Sequence, residues 1–116
     1  GKYEINEEGK LALKKLSDVL VLQADLDIIV EGHTDSIPYT RGQLKDNWDL
    51  SVMRSTSVIK IMLQNKLLKP DQLTAAGKAE FVPISSNSSA QGRSANRRIE
   101  MILTPNLDDL FDLLSE

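Results

Sequence analysis

Apolar residues recur at mixed three- and four-residue spacing from Leu11 through Leu13, Leu16, Val19, Leu20 and Leu22, which predicts a helix over residues 7–23. Asn6 suits its N-cap, and Glu7 and Glu8 suit its first turn. The period then drops to two. Leu26, Ile28 and Val30 alternate with Asp27, Ile29 and Glu31 and predict a strand over 26–32. Ile29 on the second face suggests that both faces are covered. Gly32-His33-Thr34-Asp35 ends the strand, and 36–46 is a polar loop with Pro38 and Gly42. A second helix is expected from an N-cap at Asn47, with Asp49 in its first turn. Its mostly apolar stripe is Leu50, Met53, Ser57, Val58, Ile61 and Met62, fading near Lys66. Pro70-Asp71 makes a turn, and Leu73–Ala76 a short strand before Gly77. Residues 84–92 read as a polar loop. Arg97 to Leu103 reads as a strand with Ile99, Met101 and Leu103 on one face, stopped by Pro105. Leu107, Leu110, Phe111 and Leu114 give an amphipathic helix over 106–115. This order fits a single α/β (α+β) two-layer sandwich spanning 1–116.

Composition narrows the possibilities. The 116 residues are 41% hydrophobic and 27% charged, enough for a core without a metal or disulfide staple. With no cysteine and one histidine, thiolate zinc sites and multi-histidine sites are excluded, and no metal or cofactor is expected. No apolar run reaches the length of a membrane span. The chain starts at Gly1 without a signal-like stretch and reads as a piece of something longer. The net charge of -3 argues against a nucleic-acid partner. Its distribution is uneven: residues 1–35 hold four lysines and eight acids, 36–99 ten bases and four acids, and 100–116 five acids and no base. The middle stretch is where an anionic group would find its partner.

Three polar pieces stand out. Asp35 leaves a strand, Arg54 lies two turns into the following helix, and Arg97 opens a strand on the face of Ile99 and Met101. A buried arginine is costly unless paired, so Arg97 should meet an acid or a ligand anion. One carboxylate, two guanidinium forks and a helix N-terminus suit a zwitterion. Its ammonium would face Asp35, and its carboxylate Arg54 and Arg97. From the residues alone, Asp–Arg pairs of this kind are more often structural or solvated than ligand-binding.

The same pieces, Gly-His-Thr-Asp at 32–35, Asn-x-x-Leu-Ser-x-x-Arg at 47–54 and the run from Asn87 through Gly92-Arg93 to Asn96-Arg97-Arg98-Ile99-Glu100, resemble the OmpA C-terminal / MotB-like family of peptidoglycan-binding domains. The resemblance covers about 3–103. It implies a βαβαββ mixed sheet with helices on one face. The first strand would lie largely before Gly1, leaving an uncovered edge, and the C-terminal helix would be an extra. It also implies a non-enzymatic module, bound without cofactor to the diaminopimelate of the wall's peptide stem. Such a module is periplasmic, in a membrane-anchored and outer-membrane-associated envelope protein, with a homodimer left open. By the same resemblance Asp35 holds the ligand's ammonium, Arg54 its carboxylate, and Arg97 completes the clamp. Thr34, Asn47, Leu50 and Ser51 line the site, partly through main-chain groups.

Some positions depart from the pattern. The 35–47 segment is long, and Asn-Trp-Asp-Leu-Ser stands closer to the MotB branch. A flagellar stator role would need a membrane-spanning helix, which these residues do not contain. Ser55 replaces a usual alanine, and Ala79 a common glycine after Gly77. Bland roles are expected elsewhere. His33 should pack or hydrogen-bond at a strand end, Trp48 pack on the loop, Arg98 pair with Glu100, and Met53 and Met62 join the core. Two other functions compete. One is a wall hydrolase using Asp35 with Asp46 or Asp49, and the other is a protein-interaction module using the terminal helix.

Overall fold

A computed structural model describes residues 4–23, 25–105 and 114. Helix α1 spans Glu7–Leu20, strand β1 Leu26–Gly32 and helix α2 Asn47–Met62. A 3-10 turn at Pro70–Gln72 leads into β2, Leu73–Gly77. A short helix α3, Ala90–Asn96, precedes β3, Ile99–Pro105. The sheet order is β2-β1-β3, with β1 parallel to β2 and antiparallel to β3. This is a mixed open sheet with helices on one face, as expected. The helix expected over 106–115 lies outside the described residues apart from the exposed Leu114.

Alternation along β1 decides which face is covered. Ile28 and Val30 are buried against Leu20 of α1 and Val58 and Met62 of α2, with Leu68 closing the cluster. Asn6 caps α1 by accepting from the Gly9 amide at 2.8 Å. The α2 cap is Asp46, not Asn47: its extended backbone and its Oδ1, 2.9 Å from the Asp49 amide, fill that role. Asn47 is thereby freed as the first helical residue, with its side chain turned inward. The region read as a polar loop contains α3, which has no apolar stripe to announce it. Ser89 caps it through the Gly92 amide at 2.9 Å, and buried Asn96 ties it down. Asn96 Oδ1 accepts from the Ile84 and Ser85 amides at 2.8 and 3.0 Å, and Nδ2 donates to Ser85 O and Asn87 Oδ1 at 2.9 and 2.8 Å. Arg97 is the C-cap of this helix, not a strand residue. Leu103, expected on the core side, is exposed, and so is Ile102.

Register sets Gly32 of β1 beside Gly77 of β2, and Ser51 of α2 crosses both. A Cβ on Gly32 would overlap the Ser51 carbonyl, and one on Gly77 would meet the Ser51 hydroxyl and Val52. Helix and sheet therefore touch backbone to backbone at the strand ends. Ser55 is fully buried one turn further on, and its hydroxyl is satisfied by Val52 O at 2.8 Å. Ala79 follows in a left-handed conformation (φ 50) that glycine adopts freely. Its carbonyl accepts from the Thr34 amide at 2.9 Å, and its amide donates to Ser51 Oγ at 3.1 Å. Gly32→Ala should cost about 2–3 kcal/mol of unfolding free energy, because backbone must shift to admit the methyl. Chemical denaturation measures this, and an unchanged midpoint would show that the contact is loose.

Candidate functional site

The pairing of β1 continues past its last residue. His33 N donates to Arg98 O and Thr34 N to Ala79 O, each at 2.9 Å. The chain therefore leaves the sheet in a fixed direction, and Asp35 follows, largely buried. The Ile37 amide donates to Asp35 Oδ1 at 3.0 Å, turning the loop back over the carboxylate. The Thr34 hydroxyl donates to Asp35 O at 2.8 Å. Asn47 holds this turn from behind. Its Nδ2 lies 3.3 Å from Asp35 O, 3.2 Å from Ile37 O and 2.7 Å from Glu80 Oε2.

Thr34, Asp35, Leu50, Arg54 and Arg97 border one small cavity of about 30 Å³ together with Ile37, Pro38 and Tyr39. Five of the seven expected site residues thus meet in one place. Asn47 and Ser51 do not border it. Asn47 braces the Asp35 turn, and Ser51 is consumed by the contact with Gly32, Gly77 and Ala79. The loop residues Ile37, Pro38 and Tyr39, and the brace Glu80, have no periodic or charge signal that could have marked them in sequence.

The acid of the cavity is already paired with one of its arginines, and the other arginine bonds the main chain. Arg97 Nη1 donates to Asp35 Oδ2 at 2.6 Å, with side chains 37% and 10% exposed. Arg54 Nη1 donates to His33 O at 3.2 Å. Burial, and then the charge of Arg97, lower the Arg54 pKa from its ordinary value, while Asp35 and Tyr39 raise it. The guanidinium still carries its charge at neutral pH. For a base with a depressed folded pKa, the burial cost persists below that pKa and is relieved only in strong alkali. It therefore gives no pH dependence near neutrality. The cavity offers one carboxylate and two cations, and its acid-holding partner, Arg97, has solvent access.

The sequence model of the OmpA family matches residues 1–97. The chain belongs to the OmpA family. It is 37% identical to Motility protein B of Bacillus subtilis over 105 residues, covering 90% of this chain and 40% of that protein. It spans less than half the length of that curated relative. A putative MotB like protein from Desulfovibrio vulgaris superposes with a TM-score of 0.78 at 31% identity, covering 89% of this chain and 64% of the other. The cell wall anchor of the T6SS from Pseudomonas aeruginosa gives 0.74 at 29% identity, covering 84% and 66%.

If Arg54 serves a guest and not the core, replacing it should leave the fold intact. Arg54→Met keeps the stem's packing and removes a buried charge facing Arg97, so stability should stay within about 1 kcal/mol of the parent. A thermal melt checks this, and a large drop would assign Arg54 to the framework.

Proposed function

We propose that this domain is a non-catalytic module that binds peptidoglycan and ties a periplasmic envelope protein to the cell wall. The observation that carries the reading is the convergence of Asp35, Arg54 and Arg97 on one cavity from three separate stretches of chain. The family membership and the likeness to a cell wall anchor support it. In the finer form of the proposal, the clamp takes the free end of a diaminopimelate side chain. That end carries an ammonium and a carboxylate on one carbon. The ammonium displaces Arg97 from Asp35, and the carboxylate is received by Arg54 and the released Arg97. Thr34 and Leu50 border the guest, while Asn47 and Ser51 keep the walls in place.

The cavity as it stands is small, about 30 Å³, with room for ordered water and too little for an amino-acid terminus. Binding therefore exchanges partners, and the guest does not enter a ready-made hole. The exchange is feasible because the guest replaces each ion pair it breaks with one of the same type. A pocket that grips one amino-acid terminus makes few contacts, so binding is weak per site. Firm attachment comes from many copies on one wall.

The hydrolase reading needs two carboxylates around a scissile bond. Asp46 accepts from the Asp49 amide, and Asp49 Oδ2 accepts from the Lys45 amide at 2.8 Å, so both serve the start of α2. Neither borders the cavity.

Calorimetric titration with a muropeptide ending in meso-diaminopimelate should show saturable binding. Asp35→Ala and Arg54→Ala should each weaken it by about 2–4 kcal/mol, since each strands a desolvated charge of the guest. A muropeptide with lysine at that position keeps the ammonium and lacks the carboxylate. It should bind the parent domain more weakly, and Arg54→Met should narrow the difference, leaving the share that Arg97 contributes. Equal binding of both muropeptides by the parent would overturn the clamp. Incubation with purified sacculi should release no soluble fragments, and release would instead establish a hydrolase.

A further inference from the structure

The sheet face turned away from the helices carries a second cluster, separate from the Asp35 cavity. Register places Glu31 of β1 opposite Glu100 of β3. Like charges in that position repel, so the pair calls for a cation or a shared proton between them. His33, two residues beyond Glu31, falls on the same face. Its Nε2 lies 2.7 Å from Glu31 Oε1 and 3.2 Å from Glu100 Oε2. The ligand-type atoms of all three residues lie within 4.8 Å of one another. The three side chains are 1%, 12% and 46% exposed in the order His33, Glu31, Glu100. The imidazole is thus fixed in the interior, and Glu100 opens the cluster to solvent.

We propose that Glu31, His33 and Glu100 form a binding site for a divalent cation of the zinc class. Donor atoms around a four-coordinate ion with bonds of roughly 2.0–2.1 Å sit roughly 3.3 Å apart. The Nε2–Glu100 spacing of 3.2 Å already matches, the Nε2–Glu31 spacing opens from 2.7 Å, and all three donors lie within 4.8 Å of one another. One imidazole nitrogen with two carboxylate oxygens selects zinc or cobalt over magnesium and calcium, which take oxygen donors. Glu100 divides its two oxygens. Oε1 receives Arg98 Nε at 3.3 Å, which orients the carboxylate, and Oε2 faces the centre. Water from the Glu100 side completes the coordination. His33 Nδ1 is buried with no protein partner, so the site lacks the outer hydrogen bond that strengthens most zinc-bound histidines. Its affinity is therefore lower than that of a site whose histidine has that bond. The cluster uses a single histidine, which is why a search for multi-histidine spacing passes over it.

Titration of the metal-free domain with zinc chloride at neutral pH, followed by calorimetry, should give one site per chain. Magnesium chloride should give no heat of binding. Cobalt should give the visible absorption of a tetrahedral ion. Glu100→Gln and Glu31→Gln should each weaken zinc by about tenfold or more, with circular dichroism confirming that both variants are folded. Glu100→Gln is the stronger test because the residue is half exposed and its bond to Arg98 survives the change. Absence of saturable zinc binding overturns the site, and so does zinc binding that either variant leaves unchanged. None of these readouts involves peptidoglycan, so the outcome is independent of the clamp.

Discussion

The closeness of α2 to the ends of β1 and β2 is the constraint from which the site follows. Two glycines, Gly32 and Gly77, lie side by side in the sheet, and Ser51 of the helix rests on both. No residue with a side chain fits there without moving backbone. Because contact is made at that level, the first turns of α2 cannot drift away from the strand end. Arg54, one turn beyond Ser51, is delivered beside the residues that leave β1. The ladders that continue through His33 and Thr34 fix the direction of departure, and Asp35 has one place to go. The third contributor, Arg97, arrives by a different device. The buried amide of Asn96 pins the end of α3 to the preceding loop, and Arg97 emerges from that pin toward Asp35.

The electrostatics of the free domain follow from this geometry. Two guanidiniums and one carboxylate share a small volume, and burial works against Arg54 while Arg97 adds repulsion. The Asp35–Arg97 pair offsets part of this; Asp35 is largely buried while a third of Arg97 is in water, so the arginine can leave only if another cation takes its place at the acid. An arrangement of that kind suits exchange. In the proposed clamp, a guest with both signs of charge would relieve the excess cation and replace the acid's partner in one event, without leaving a buried charge alone.

Strand β1 organises both faces of the protein by its two-residue period. Ile28, Val30 and Gly32 turn to the helices and make the core contact. Glu31 and His33 turn the other way, where pairing with β3 adds Glu100. The strand that positions the Asp35 cavity therefore also leads, through Glu31 and the following His33, to an acidic cluster around a buried imidazole on the opposite side.

Much of this was legible in the chain. The alternation at 26–32 determined β1 to the residue, because a half-buried strand leaves a period that no helix imitates. The stripe from Leu50 to Met62 located α2, although Met53, expected in the core, is exposed and Ser51 and Ser55 are buried in its place, and the three polar pieces located the charges that meet. What the tertiary structure alone decided are the features without a period. Helix α3 has seven residues and no apolar stripe, and Asn96 with its four hydrogen bonds holds it down. Asp46 displaced Asn47 as the cap because two adjacent residues were both chemically suited, and only the backbone path could choose between them. Ser51 went to the sheet and Ile37, Pro38 and Tyr39 to the cavity, since which atoms border a hollow depends on how a loop closes. The meeting of Glu31 with Glu100 likewise required the register of two strands almost seventy residues apart in the chain. Local pattern reports what each segment buries, and only packing reports what it buries against.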